Sequence, residues 1–157
     1  MIDLQDFTLE SVDYDNKEHV SMINKFDWDK EIDKYIIKYD DSFSDQIAKY
    51  EEKRSNDIYN TLYMVRLLLT DEIIGAFGLD GPKEDLYLEY AILKKYRNKG
   101  YCLSLLKELL ERIKEDTTQI SLLIDRDNEP SKCLALRVGF EKVCEDEYNY
   151  DKYQIKS

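Results

Sequence analysis

Cysteine is scarce, and the three residues present stand far apart, at 102, 133 and 144. An odd count at wide spacing makes neither a disulfide framework nor a zinc set. Reduced thiols and no metal are therefore expected. Glycine and proline are also few, at five and two. No Gly/Ser/Pro-rich linker cuts the chain and no repeat is seen, so residues 1–157 read as one domain. Long apolar runs are missing; stretches such as Leu67–Leu69 fall far short of a membrane span. The opening MIDLQDFTLE has neither a basic n-region nor an apolar h-region, so no signal peptide is expected. Basic residues are outnumbered, with 23 Lys and Arg against 34 Asp and Glu and a net charge of −11. Phosphate backbones and anionic lipid surfaces are bound by clustered Lys and Arg. Neither nucleic acid nor a membrane is thus an expected partner, and the reading is of a soluble cytoplasmic protein. Such a surface suits a cationic small molecule or a basic peptide.

What is present is a foldable chain. Hydrophobic residues make up 43 % and aromatics 12 % of 157 residues, which excludes disorder and suffices for a core without staples. Near residue 60 the pattern changes. Before it the chain is acidic, Tyr-rich and mostly helical in period. A strand is expected near 6–12, from Phe7 and Leu9. Helices are expected at Lys17–Phe26, along the stripe Trp28, Ile32, Tyr35, Ile36 and Tyr39, and again through Phe43, Ile47 and Tyr50. After residue 60 strands and helices alternate. Thr61–Thr70, Ile73–Leu79 and Asp85–Leu93 read as antiparallel strands, with turns at Asp71-Glu72 and Gly81-Pro82. Leu103, Leu106, Leu110 and Ile113 mark a helix from about Gly100 to before Thr117. Gln119–Ile124, reached by that crossover, should run parallel to the third strand. Asn128–Val138 is a helix with Pro130 in its first turn and Gly139 at its end. Phe140–Cys144 and Tyr148–Ile155 close the chain as strands. The fold class is α/β, with a mixed, mostly antiparallel sheet flanked by helices on both faces.

One stretch carries chemistry. After the third strand come Lys94, Lys95, Arg97 and Lys99, then Gly100 at a helix start. A helix N-terminus presents unpaired N–H groups and partial positive charge, which suit a phosphate. Glycine lets backbone approach a ligand closely. Taken alone, this reads either as a pyrophosphate pocket or as a solvated basic loop beside an ordinary helix.

The segment Arg97-Asn98-Lys99-Gly100-Tyr101-Cys102 resembles the pyrophosphate loop of the GNAT superfamily of N-acetyltransferases, Arg/Gln-x-x-Gly-x-Gly/Ala, with Cys102 as the small last residue. A second stretch, Asn128-Glu129-Pro130-Ser131-Lys132-Cys133-Leu134-Ala135-Leu136-Arg137-Val138-Gly139-Phe140, is similar to that family's Asn-x-x-Ala/Ser-x-x-Leu-Tyr-x-x-x-Gly-Phe signature. The resemblance covers residues 85–145, the implied acyl-CoA core; residues 1–60 would supply acceptor-side helices. It implies acetyl-CoA as acyl-donor cosubstrate, a primary amine of a small molecule or peptide as acceptor, and direct attack in a ternary complex. Backbone of Arg97, Asn98, Lys99, Gly100, Tyr101 and Cys102 would hold the pyrophosphate. Backbone of Tyr90, Ala91 and Ile92 would pair with the pantetheine amides where neighbouring strands splay. Asn128 and Ser131 would lie on the far side of the arm. Lys132 and Arg137 read as solvated. A homodimer through the last strand is common among such proteins.

An amine attacks a thioester only when neutral, so a base within hydrogen-bond reach is needed. Glu89, the one carboxylate inside the third strand, is the candidate; strand alternation puts it on the face opposite Leu88 and Tyr90. A solvent-facing Glu is the other reading. Glu72 and Glu84 sit at strand ends and are weaker candidates. The acid usual in the second signature, a Tyr, is replaced by Ala135. Another of the 13 tyrosines could serve, or none is needed, or the protein is a non-catalytic acyl-CoA-binding or protein-interaction domain. Tyr148, Tyr150 and Tyr153 read as ordinary strand residues. Cys102 reads as a small loop residue rather than a nucleophile, and Cys133 and Cys144 as buried apolar positions. His19 receives no role.

Overall fold

The computed structural model describes residues 1–28, 47–48, 50–52, 58–146 and 149–156, with side chains from 26 to 28 left aside. The expected helix over Ile32, Tyr35, Ile36 and Tyr39, together with Phe43 and Tyr148, lies outside the described residues. In chain order the elements are β1 (Ile2–Asp3), β2 (Phe7–Ser11), α1 (Lys17–Trp28), β3 (Thr61–Leu67), β4 (Glu72–Asp80), β5 (Leu86–Ile92), a 3-10 turn (Lys94–Tyr96), α2 (Tyr101–Ile113), β6 (Gln119–Asp125), α3 (Glu129–Val138), β7 (Glu141–Glu145) and β8 (Tyr150–Lys156). Residues 47–48 and 50–52 are helical.

The strands form one sheet in the order β1-β2-β3-β4-β5-β6-β8-β7. β5 and β6 run parallel and the other neighbours antiparallel. This is the mixed sheet expected, with β1 as an edge strand too short to show any periodicity. β4 is buried along all but its end residues, as a strand covered on both faces must be. One apolar cluster packs α2 and α3 onto the sheet through Leu105, Leu106, Leu109, Ile113, Ala135 and the β5 residues Leu86, Leu88 and Ile92. A second cluster covers the other face with Ile23 of α1, Ile47, Tyr50, Met64 and Ala76.

Several sequence expectations shift in detail. β3 ends at Leu67, not Thr70. Asp71 adopts a left-handed φ of 58° and closes the hairpin, leaving Leu68 and Leu69 exposed on the turn. The buried stripe of α2 uses Leu105 and Leu109 beside Leu106 and Ile113; Leu103 and Leu110 are half-buried. Cys133 and Cys144 are exposed rather than buried. Cys133 sits on the outward side of α3, and Cys144 on β7, an edge strand exposed at every residue. His19 lies in the core at 2 % exposure. Its Nδ1 accepts the Asp13 N–H at 3.1 Å, so Nε2 carries the hydrogen that faces Glu10 Oε1 at 3.2 Å. Arg66 forks onto the same carboxylate, with Nε donating to Oε2 at 2.9 Å and Nη2 to Oε1 at 3.0 Å. This network ties α1, β2 and β3 together.

Candidate active site

The site begins where β5 and β6 part. Their ladder holds only Leu86 to Ile120 and Tyr87 to Ser121. Beyond Tyr87, β5 stays paired with β4 and β6 with β8. The β6-facing edge of Leu88–Ile92 is thus left open. The ladder phase says which groups face the opening. Leu93 N–H donates to Ile74 O at 2.9 Å, and antiparallel pairing alternates. Ala91 and Glu89 therefore direct N–H and C=O at β4, whereas Leu88, Tyr90 and Ile92 direct theirs at the gap. Ile92 O accepts Arg97 Nε–H there at 2.7 Å, so the loop that follows β5 is pinned back onto the strand.

That loop winds through two left-handed residues, Asn98 at φ 61° and Gly100 at φ 79°. Gly100 is the N-cap of α2, and no side chain caps the helix. The first helical bond runs from Ser104 N–H to Gly100 O at 3.1 Å. No acidic residue stands in the first turn, so the helix end is positive and its leading amides lack a side-chain acceptor. A Cβ built on Gly100 would meet nothing within 4 Å. The glycine is thus required by its backbone angle and not by crowding within the chain. An extended oxyanion such as a pyrophosphate fits these amides, and an amide-bearing arm fits the open strand edge. Lys95 is turned toward Tyr96 and Glu72, its Nζ 5.2 Å from the ring centroid and 3.9 Å from Oε2. Glu72 is hydrogen-bonded by the Tyr96 hydroxyl and so braces the 3-10 turn. Glu84 lies exposed in the β4–β5 turn.

Across the gap, Asn128 caps α3, its Oδ1 accepting Ser131 N–H at 3.3 Å. The Ser131 hydroxyl lies 3.1 Å from that of Tyr90. The Tyr90 ring stacks on Phe77, with centroids 5.7 Å apart. Burial, with Cys102 close by, pushes the Tyr90 phenol well above the usual range. Burial likewise pushes the Cys102 thiol up to about 12; it is a packed thiol, not a nucleophile. Ala135 is fully buried against the sheet. Lys132 Nζ is held by Arg126 O and Glu129 Oε1, both at 2.9 Å, and Arg137 is exposed.

Glu89 stands half-buried on the opposite face from Tyr90. Tyr50 donates its hydroxyl to Glu89 Oε2 at 2.9 Å. Burial first, then the charges of Glu89 and Asp80, hold the Tyr50 phenol far above the usual range. Gly78 is the β4 partner of Glu89. The sequence stripe gave Tyr50 only an apolar role and gave Gly78 none. Of the tyrosines read as strand residues, Tyr153 is buried and Tyr150 half-buried. Among the described residues, no group of three or more His, Cys, Asp and Glu is arranged to hold a metal.

A family profile described as an acetyltransferase (GNAT) domain matches residues 5–141. The chain belongs to the GNAT acetyltransferase family. No curated protein matches this GNAT chain in sequence. Solved structures share its fold. Spermidine N-acetyltransferase from Vibrio cholerae, in complex with CoA and spermine, has a TM-score of 0.74 at 15 % identity, over 95 % of this chain and 93 % of its own. The ribosomal L7/L12 alpha-N-protein acetyltransferase RimL, in complex with coenzyme A, has a TM-score of 0.72 at 14 % identity, over 97 % and 94 %. The microcin C7 self-immunity acetyltransferase MccE, in complex with acetyl-CoA and AMP, has a TM-score of 0.69 at 15 % identity, over 98 % and 93 %. Among the described residues of this GNAT domain, no helix is long and apolar enough to cross a membrane.

Proposed function

We propose that this GNAT domain transfers an acetyl group from acetyl-CoA to a primary amine of a small molecule or peptide. The reading rests on one observation: the open edge of β5 leads to an uncapped helix N-terminus on one side, with a carboxylate on the opposite face of the same strand. Acetyl-CoA supplies the activated acyl group as a thioester. Amides of residues 98–102 hold its pyrophosphate, and Arg97 fixes the loop that presents them. Backbone groups of Tyr90 and Ile92 pair with the pantetheine arm, and Asn128 and Ser131 border it. Glu89 removes a proton from the acceptor ammonium. The neutral nitrogen attacks the thioester carbon, the C–S bond breaks, CoA leaves as its thiolate, and the second proton shed by the nitrogen ends on that sulfur. Family neighbours whose names specify spermidine and a protein α-amine support an amine acceptor.

A second reading, acyl-CoA binding without turnover, is favoured by Ala135, which brings no hydroxyl to the position where the family carries Tyr. The test has two stages. Thermal unfolding with acetyl-CoA at about 100 times Kd should add roughly 2.7 kcal/mol, or about 5–11 °C for a chain of this size. Release of free CoA is then followed with spermidine and with a short peptide bearing a free α-amine. Acceptor-dependent release supports transfer. A thermal shift with no release from either amine supports the binding module. No thermal shift removes both readings.

A further inference from the structure

We infer that Tyr50 is a positioning residue for Glu89 and that position 78 is glycine to make room for it. The inference rests on the reading of Glu89 as the base. Tyr50, one of the helical residues 50–52, is buried with Ile47 in the cluster on that face of the sheet. Its hydroxyl reaches Glu89 Oε2 at 2.9 Å. Glycine in the middle of a strand weakens it and often marks close approach by another group. Here the group is identifiable. A Cβ on Gly78 would fall 2.3 Å from the Tyr50 hydroxyl and 2.8 Å from its Cζ. Gly78 is also the residue paired with Glu89 across the β4–β5 ladder. Three parts of the chain thus converge on one carboxylate: β5 bears it, β4 gives way to the Tyr50 ring, and Tyr50 orients it.

The electrostatics keep Tyr50 in the donor role. Among the described residues, the charged groups facing it are Glu89 on β5 and Asp80 at the end of β4, and both disfavour a phenolate. The hydroxyl therefore remains an O–H that donates to the carboxylate. A Glu side chain has three torsions, and this bond fixes where Oε2 lies. With it, an incoming ammonium meets a carboxylate of set orientation, which is where proximity effects on rate arise.

The test uses Tyr50→Phe, Glu89→Gln, the double variant and Gly78→Ala in the full chain. Tyr50→Phe removes one oxygen and keeps the ring. With the amine that turns over in the acceptor assay, kcat should fall roughly ten-fold, part of the 10²–10⁴ that a general base supplies. KM for acetyl-CoA should stay unchanged. The double variant should be no slower than Glu89→Gln, because Tyr50 acts through Glu89. A readout free of any acceptor is the ¹³C titration of the Glu89 carboxyl: loss of the donor should move its midpoint to higher pH. Gly78→Ala should reproduce the Tyr50→Phe loss by displacing the ring. A full rate in Glu89→Gln would overturn the base assignment, while the carboxyl titration would still test the pairing. A slow Glu89→Gln beside a Tyr50→Phe variant with wild-type kcat and midpoint would overturn the role of Tyr50 and leave the base assignment standing.

Discussion

The Tyr90 hydroxyl and the Ser131 hydroxyl lie 3.1 Å apart, joining β5 to α3 beside the gap that opens between β5 and β6. The pair ties β5 to the helix that follows β6, beyond the point where those two strands share a ladder. Tyr90→Phe and Ser131→Ala should each lower stability by about 1 kcal/mol, the usual net worth of such a bond. Combined, they should cost little more than either alone, because the second change removes a group already without its partner. Urea unfolding of the four proteins measures the coupling; full additivity would show that the contact carries no energy.

Gly100→Glu should abolish the thermal shift with acetyl-CoA while leaving a folded protein. The side chain has open space, since nothing lies within 4 Å of its Cβ position. The left-handed φ of 79° adds a strain of about 1–2 kcal/mol for a non-glycine residue. Gly100→Ala carries the same strain without the charge. It should lower Tm slightly and keep most of the affinity. An acetyl-CoA titration by calorimetry separates the two, and unchanged binding by Gly100→Glu would refute the loop as a pyrophosphate site.

The three thiols should divide two to one. Cys133 and Cys144 are exposed, and Cys102 is packed with a raised pKa of about 12. At pH 8 a disulfide reagent such as DTNB should titrate two thiols quickly in the native protein. The third, that of half-buried Cys102, should react far more slowly, because a packed thiol held protonated is a poor nucleophile. Rapid reaction of all three would contradict the packing drawn for Cys102.

The Glu10 network gives a pH signature. The Arg66 hydrogen bonds, with help from His19, hold the Glu10 carboxyl below its ordinary value of 4.5 against the opposing effect of burial. A depressed carboxylate contributes stability that is present above the unfolded value and is lost as pH falls through the folded one. Stability should therefore decline as pH drops below about 4.5. Glu10→Gln should cost about 1–3 kcal/mol at pH 7, and the gap to wild type should close toward pH 3. Parallel curves at all pH values would exclude Glu10 as a contributor.

The sequence was most legible where its signals were local. Asn128, Pro130 and Gly139 bracket α3 through their own cap chemistry, and the structure returns that helix within a residue. The loop from Arg97 to Cys102 is contiguous, so its candidates could be named before any tertiary contact was known. Legibility failed where a partner is distant. Tyr50 and Glu89 are 39 residues apart, and only the seating of Tyr50 against Gly78 of β4 brings them together. His19 reads as one polar residue on a polar helix until Glu10 and Asp13 close around it. Cys133 and Cys144 read as buried because cysteine usually is; α3 turns the first outward, and the sheet ends at the second.

The two apolar clusters on either side of the sheet meet at few points; among the described residues, Leu93 packs against both. A layer of strands with so little bridging works as a partition. Substitutions at Ile23, Ile47 or Tyr50 fall in the cluster on one side, while α2, its loop and α3 pack on the other. The face that carries Tyr50 can therefore be altered while the loop after β5 stays where it is seated.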